Sequence, residues 1–281
     1  MSDEHTAALN EVLARIEGWQ PDTVAVAVTD ARATLAAHGD VDAVLELASV
    51  TKPLTAYATL IAVADGALHL DEPVDGEVPD GTTVRHLLAH ASGLATEAGG
   101  PATLPERKRI YSNFGYEVLA DLVAGRVGRD FAEHLDVEVL QPLGMDATEL
   151  AGSPAHGARG TVTDLCAFAR ELLDPQLLDP QLHAEATTVA FPGLDGVAPG
   201  WGSHAPNDWG LGFEIRDGKA PHWTGTRLSP ETFGHFGGSG SFLWVDPTRG
   251  LAAAELASQR FGGWAREAWP DLQDAIVEIC S

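Results

Sequence analysis

Strand-forming text lies at the two ends of this chain, and the long stretch between them reads as helix and loop. Near the N-terminus "TVAVAVTD" alternates with a period of two, and "ATLAAHG" and "AVLELA" follow across turns containing Asp and Gly. After residue 209 strand signals return in "GLGFEIRDG", "GSFLWVDPTRG" and "LAAAELA". Ala8, Leu9, Val12, Leu13 and Ile16 recur at helical spacing over residues 4 to 18, and a final helix is expected from about Trp264 to Ile279. Between about 70 and 190 the helical candidates are "TVRHLLAHA", "GYEVLADLVAGRV", "DFAEHLDVEVLQPLG" and "TVTDLCAFARELL". The expected fold class is α+β: an antiparallel sheet from both chain ends, flanked by the terminal helices, with an inserted helical lobe. All of 1–281 then forms a single domain, with 1–65 plus 200–281 as an α/β lobe and 66–199 as a mainly helical lobe. A site between the lobes draws on residues far apart in sequence. The Gly- and Pro-rich stretch 191–210 is the best candidate for a long functional loop.

Charge removes some partners. The formal net charge is -24, with only three lysines, and such a surface repels phosphate backbones and anionic membranes. Nucleic acid and membrane are therefore not expected as partners. No basic flank precedes an apolar run at the N-terminus, and the two cysteines, Cys166 and Cys280, sit apart, so free thiols and the cytoplasm are the expectation.

The chemistry starts in "LELASVTKPL". Ser49 and Lys52 stand three apart, on one face of any helix that starts at the serine. Pro53 fits a first turn, where the missing donor costs little. The helix N-terminus offers N–H groups to an oxyanion at Ser49 and disfavours a protonated Lys52, which burial would push further toward the neutral amine. A chain of this composition holds roughly 0.1 accidental Ser-x-x-Lys pairs.

"RIYSNFGYEVLADL" adds Tyr111 and Asn113, from only three tyrosines and three asparagines. A tyrosine beside a cationic lysine can persist partly as phenolate and take the serine proton, and Asn113 has an acceptor for Lys52 and a donor for a substrate carbonyl. In "ETFGHFGGSGSFLWVDP", His235, Phe236 and Gly237 directly precede an expected strand. The glycines there allow close approach of backbone to a ligand, and the Gly238 N–H is a candidate second oxyanion donor opposite that of Ser49.

The trio Ser-x-x-Lys, Tyr-x-Asn and His-x-Gly, in this order, resembles the serine beta-lactamase and penicillin-binding-protein superfamily, and within it the class C-type branch that also holds esterases and D-amino-acid peptidases. "GALHLDEPV", "TVRHLLAHASGL" and "LQPLGMDAT" resemble the framework phrases of that branch, so the similarity covers nearly the whole chain. The resemblance implies Ser49 as acylated nucleophile and Lys52 with Tyr111 as the proton-transfer pair. It implies Asn113 as the group positioning Lys52 and substrate, and His235 as support for a positive field. No metal or other cofactor is implied.

One position departs from the pattern. Lactamases and cell-wall peptidases usually carry Thr or Ser in the middle of the third motif, where the hydroxyl helps to bind a substrate carboxylate. Phe236 cannot donate a hydrogen bond and adds apolar wall instead. The Ser49 to Tyr111 separation of 62 residues also looks short for the branch and implies a trimmed helical lobe. The expectation is a carboxylic ester hydrolase acting on a small-molecule acyl substrate. The alternatives are a beta-lactamase or a D-alanyl-D-alanine carboxypeptidase or D-aminopeptidase-like amide hydrolase, and a binding module that kept the fold without turnover. Phe236, Gly237, Trp209 and His222 are the candidate pocket residues.

Other motifs carry less. His90 and Ser92 are two apart in a turn and lack a Gly-x-Ser-x-Gly elbow. His183-Ala-Glu185 starts a zinc deaminase signature that no Pro-Cys-x-x-Cys completes. The remaining histidines are too scattered to point to a metal.

Overall fold

The computed structural model describes residues 3–98 and 100–280. Helix α1 (Asp3–Leu13) leads to strands β1 (Val24–Thr29), β2 (Thr34–Gly39) and β3 (Leu45–Glu46), and then to helix α2 (Thr51–Ala64). Helices α3 (Val84–Leu88), α4 (Asn113–Val127) and α5 (Phe131–Leu135) follow, with short strands β4 (Glu149–Leu150) and β5 (Ala158–Gly160) after them. Helices α6 (Val162–Leu173) and α7 (Pro180–Ala186) precede the hairpin β6 (Gly196–Ala198) and β7 (Gly202–His204). The chain ends with β8 (Glu214–Ile215), β9 (Phe233–Gly237), β10 (Ser241–Asp246), β11 (Leu251–Ala257) and helix α8 (Gly263–Cys280).

Both chain ends build one sheet, in the order β2-β1-β11-β10-β9-β8. Its neighbours are all antiparallel, and the ends meet where Val24 lies opposite Ala257. The alternation in β1 divides its side chains between two cores. Ala25 and Ala27 join the core shared with α2 and α6, whereas Val26 and Val28 face the layer formed by α1 and α8. Both faces of the inner strands β1, β10 and β11 are thus covered and buried, whereas edge strand β2 stays largely exposed. Among the described residues no helix is long and apolar enough to cross a membrane.

Helix α2 runs through the centre of the molecule. Every residue from Thr51 to Ala62 is buried, as expected of a helix apolar on all sides. Helix α6 packs on β1, β10 and β11, so residues 162–173 cover the sheet although they lie within the segment 66–199. Its Thr161 cap and wide apolar face make it a sheet-covering helix. Two further differences concern strands. His235, Phe236 and Gly237 precede β10 as expected but also form a strand of their own, β9, which the glycines flanking His235 hide by breaking the alternation. The strands β3 to β7, two or three residues each, are too short to show a period.

Candidate active site

Ser49 sits in a single 3-10 turn, Ala48–Val50, that joins β3 to α2. Ala48 carries a φ of 44°, a left-handed conformation that costs a non-glycine residue energy and has to be held by its surroundings. The β9–β10 turn does the holding. The Ser241 hydroxyl donates to the Leu47 carbonyl at 2.8 Å, and a Cβ at Gly237 would run into both groups. Gly237 is therefore absent from the pocket wall, contrary to expectation. Its missing side chain allows close approach to the Ala48–Val50 turn.

Lys52, the second residue of α2, is fully buried. Its amine donates to Asn113 Oδ1 at 2.7 Å and to the Ala155 carbonyl at 2.9 Å, and lies 4.5 Å from the centre of the Tyr111 ring. Burial pushes its pKa well below the usual lysine value, against the opposing pull of Glu97 and Glu117. A neutral amine has two N–H groups and one lone pair. With both N–H groups bound to carbonyl oxygens, the lone pair is left for a hydroxyl proton.

Tyr111 lies close enough to the Ser49 side chain for the serine to act on its titration. Burial pushes its pKa up, Glu214 and Glu97 add to the rise, and the contact with Ser49 only opposes it. The phenol therefore keeps its proton. The phenolate expectation fails because burial and the nearby carboxylates Glu214 and Glu97 all favour the protonated phenol.

His235 differs from its sequence-based role in the same way. Its Nδ1 lies 2.6 Å from the Phe236 carbonyl, so the proton belongs there and Nε2 is an acceptor. Burial first, then Lys52, pushes its pKa down to about 3. At neutral pH it contributes a lone pair to the site and no positive charge.

These groups border a cavity of about 340 Å³ whose lining includes Ser49, Tyr111, Trp209, His235, Phe236 and Gly238. Phe236 packs at a tilt 5.1 Å from Phe261 and 6.0 Å from Trp223, ring centre to ring centre. His222 is no part of this wall. It lies behind it, 2.6 Å from the Thr224 hydroxyl and 3.3 Å from Glu214. A second cavity of about 510 Å³ adjoins on the other side of Tyr111, lined by Lys108, Arg109 and His204 among others. The 191–210 loop supplies walls to both. Buried Arg109 pins it by donating to the carbonyls of Ala89, Ala190, Phe191 and Asn207.

Two neighbours, Glu214 and Glu97, escaped the motif reading, and a third, His90, entered it only as half of a dismissed pair with Ser92. Glu214, in text that reads simply as strand, lines the smaller cavity and accepts from Lys219 Nζ at 2.9 Å and Trp223 Nε1 at 2.8 Å. Burial alone would raise its pKa; Lys219 and His222 outweigh that and hold it well below the usual carboxylate range. A charged residue inside an apolar strand was the available signal. His90 accepts the Ser112 N–H at Nδ1 and packs 4.7 Å from the rings of both Tyr111 and Trp209, so it supports the site from below. Glu97 accepts from Asn113 Nδ2 at 2.7 Å.

This arrangement, a hydroxyl on a strained turn with a desolvated amine, a phenol and an amide converging on it, suits acyl transfer through a serine. The sequence matches the Beta-lactamase family over residues 14–278. The chain belongs to that family. Its members include serine hydrolases named as esterases, beta-lactamases and carboxypeptidases. A beta-lactamase of known structure from Mycobacterium bovis is 49% identical, with a TM-score of 0.93 over 96% of this chain and 100% of that one. Penicillin-binding protein 4* of Bacillus subtilis is 28% identical over 160 residues, 44% of this chain and 36% of that protein. Esterase EstB of Burkholderia gladioli is 30% identical over 147 residues, 37% of this chain and 38% of that protein. The matches thus cover little more than a third of the length of these last two family members.

Proposed function

We propose that this chain hydrolyses carboxylic esters through an acyl-enzyme at Ser49. The Lys52 amine takes the hydroxyl proton as Ser49 Oγ bonds to the acyl carbon. The carbonyl oxygen becomes an anion facing the N–H groups of Ser49 and Gly238. Collapse breaks the ester bond, and the departing alkoxide takes the Tyr111 proton, which the Lys52 ammonium replaces. Water then attacks the acyl group and gives a proton to the same pair, and as the acyl–Oγ bond breaks the pair returns that proton to Ser49. Asn113 holds Lys52 throughout, and neutral His235 offers an acceptor at the pocket wall.

The observation that carries the ester reading is Phe236. The third motif presents an aromatic wall, continuous with Phe261, where a carboxylate-binding hydroxyl would stand. Treatment with a fluorophosphonate is expected to add one label by intact mass, and Ser49→Ala to abolish it. Labelling of Ser49→Ala at the wild-type rate would overturn the assignment.

A lactam reading has support of its own. The 49%-identical Mycobacterium bovis protein is called a beta-lactamase, and Arg266 at the pocket offers a cation to a carboxylate. Turnover of a chromogenic cephalosporin with higher kcat/KM than short nitrophenyl esters would favour it over the ester reading.

A further inference from the structure

We propose that Glu97 is a positioning residue that fixes which end of the Asn113 amide faces Lys52. This rests on the reading of Ser49 and Lys52 as nucleophile and base. An asparagine side chain presents oxygen on one side and N–H on the other, and the two ends have nearly the same shape. With oxygen toward Lys52, the amide accepts a lysine N–H and leaves the amine lone pair for Ser49. Reversed, it would donate to that lone pair and take the base out of use. A carboxylate settles the choice because it only accepts: Glu97 Oε1, 2.7 Å from Asn113 Nδ2, tolerates the N–H end alone.

The contact is built into the backbone. Residues 95 to 97 grip residues 112 to 114 one after another. The Ser112 hydroxyl donates to the Ala95 carbonyl at 2.6 Å, and the backbone N–H groups of Asn113 and Phe114 donate to the Thr96 carbonyl. Glu97 then takes the side chain of Asn113. The acid also lies at the N-terminal end of α4, where a negative charge is favoured.

The other acceptor of Lys52 has a separate support. Ala155 donates its N–H to the Ser153 hydroxyl, which itself hydrogen bonds to Glu117. Two glutamates therefore stand behind the two arms that hold the lysine, but only Glu97 touches the amide. The charged and titratable groups around Lys52 are Glu97 from the loop, Tyr111, Tyr116 and Glu117 beside or on α4, and His90 and His235.

This difference gives the test. The rate of fluorophosphonate labelling, followed by intact mass against pH, reports Ser49 reactivity without a known substrate. Glu97→Gln, Glu97→Ala and Glu117→Gln each remove a negative charge near Lys52, so each is expected to move the acid limb to lower pH. Only the Glu97 variants release the amide. Their high-pH plateau is expected to fall, by roughly tenfold for Glu97→Ala and less for Glu97→Gln, while Glu117→Gln stays within about twofold of wild type. A Glu97→Ala plateau equal to wild type, or an equal loss in Glu117→Gln, would overturn the role. Ser49→Ala labelling at the wild-type rate would instead remove the reading on which it rests.

Discussion

Replacing Phe236 by threonine separates two effects that one side chain combines. The ring is buried between Trp223, Phe261 and Trp269, so Phe236→Thr leaves a cavity and is expected to cost about 3 kcal/mol, read as a lower Tm. The new hydroxyl is also expected to shift the ratio of kcat/KM for a cephalosporin over a nitrophenyl ester upward. A ratio unchanged in a folded variant would mean that this position does not set carboxylate recognition. At this scale the convergence of the motif residues was legible and their protonation was not. The spacing of Ser49, Lys52, Tyr111 and Asn113 marks the residues that converge, and the structure brings all four together. Whether Tyr111 or His235 carries charge depends on desolvation and on Glu214 and Glu97, and no motif spacing encodes those.

Strand β9 and the start of α2 work as one element. The Ala48–Val50 turn that carries Ser49 is strained at Ala48 and is held by the β9–β10 turn through Ser241 and through the absent side chain of Gly237. Gly237→Ala is therefore expected to push β9 away from Leu47 and Ala48. The expected loss is about 1–3 kcal/mol in urea unfolding, with labelling of Ser49 slowed by roughly 100-fold. Wild-type labelling in this variant would mean that the turn holds its shape without the strand. The glycines that make this fit possible are also what hid β9 in the sequence, since a glycine-rich segment reads as loop. The long elements were legible because their periods are long enough to count: α1, α4, α6 and α8 all lie where helical spacing put them, and β1, β10 and β11 where strand text did.

Across the whole molecule, the layer between the sheet and the terminal helices contains one anomaly. Glu255 on β11 lies opposite Val26 and Phe242, fully buried, facing the core that α1 and α8 close. The Trp269 indole N–H is directed toward it without reaching ordinary hydrogen-bond geometry. Burial raises its pKa well above the usual carboxylate value, with Trp269 only partly opposing, so the fold favours the protonated form. Because the unfolded chain releases this proton at lower pH than the folded one, the native state binds more protons in the interval between the two pKa values. Stability is therefore greatest below the unfolded value and falls as pH rises toward and through the folded one. Glu255→Gln removes the titration and keeps the shape. In melts across pH 5 to 9, the variant is expected to lose less Tm with rising pH and to exceed wild type at the alkaline end. Parallel curves for the two proteins would show that Glu255 does not couple proton release to opening of this layer.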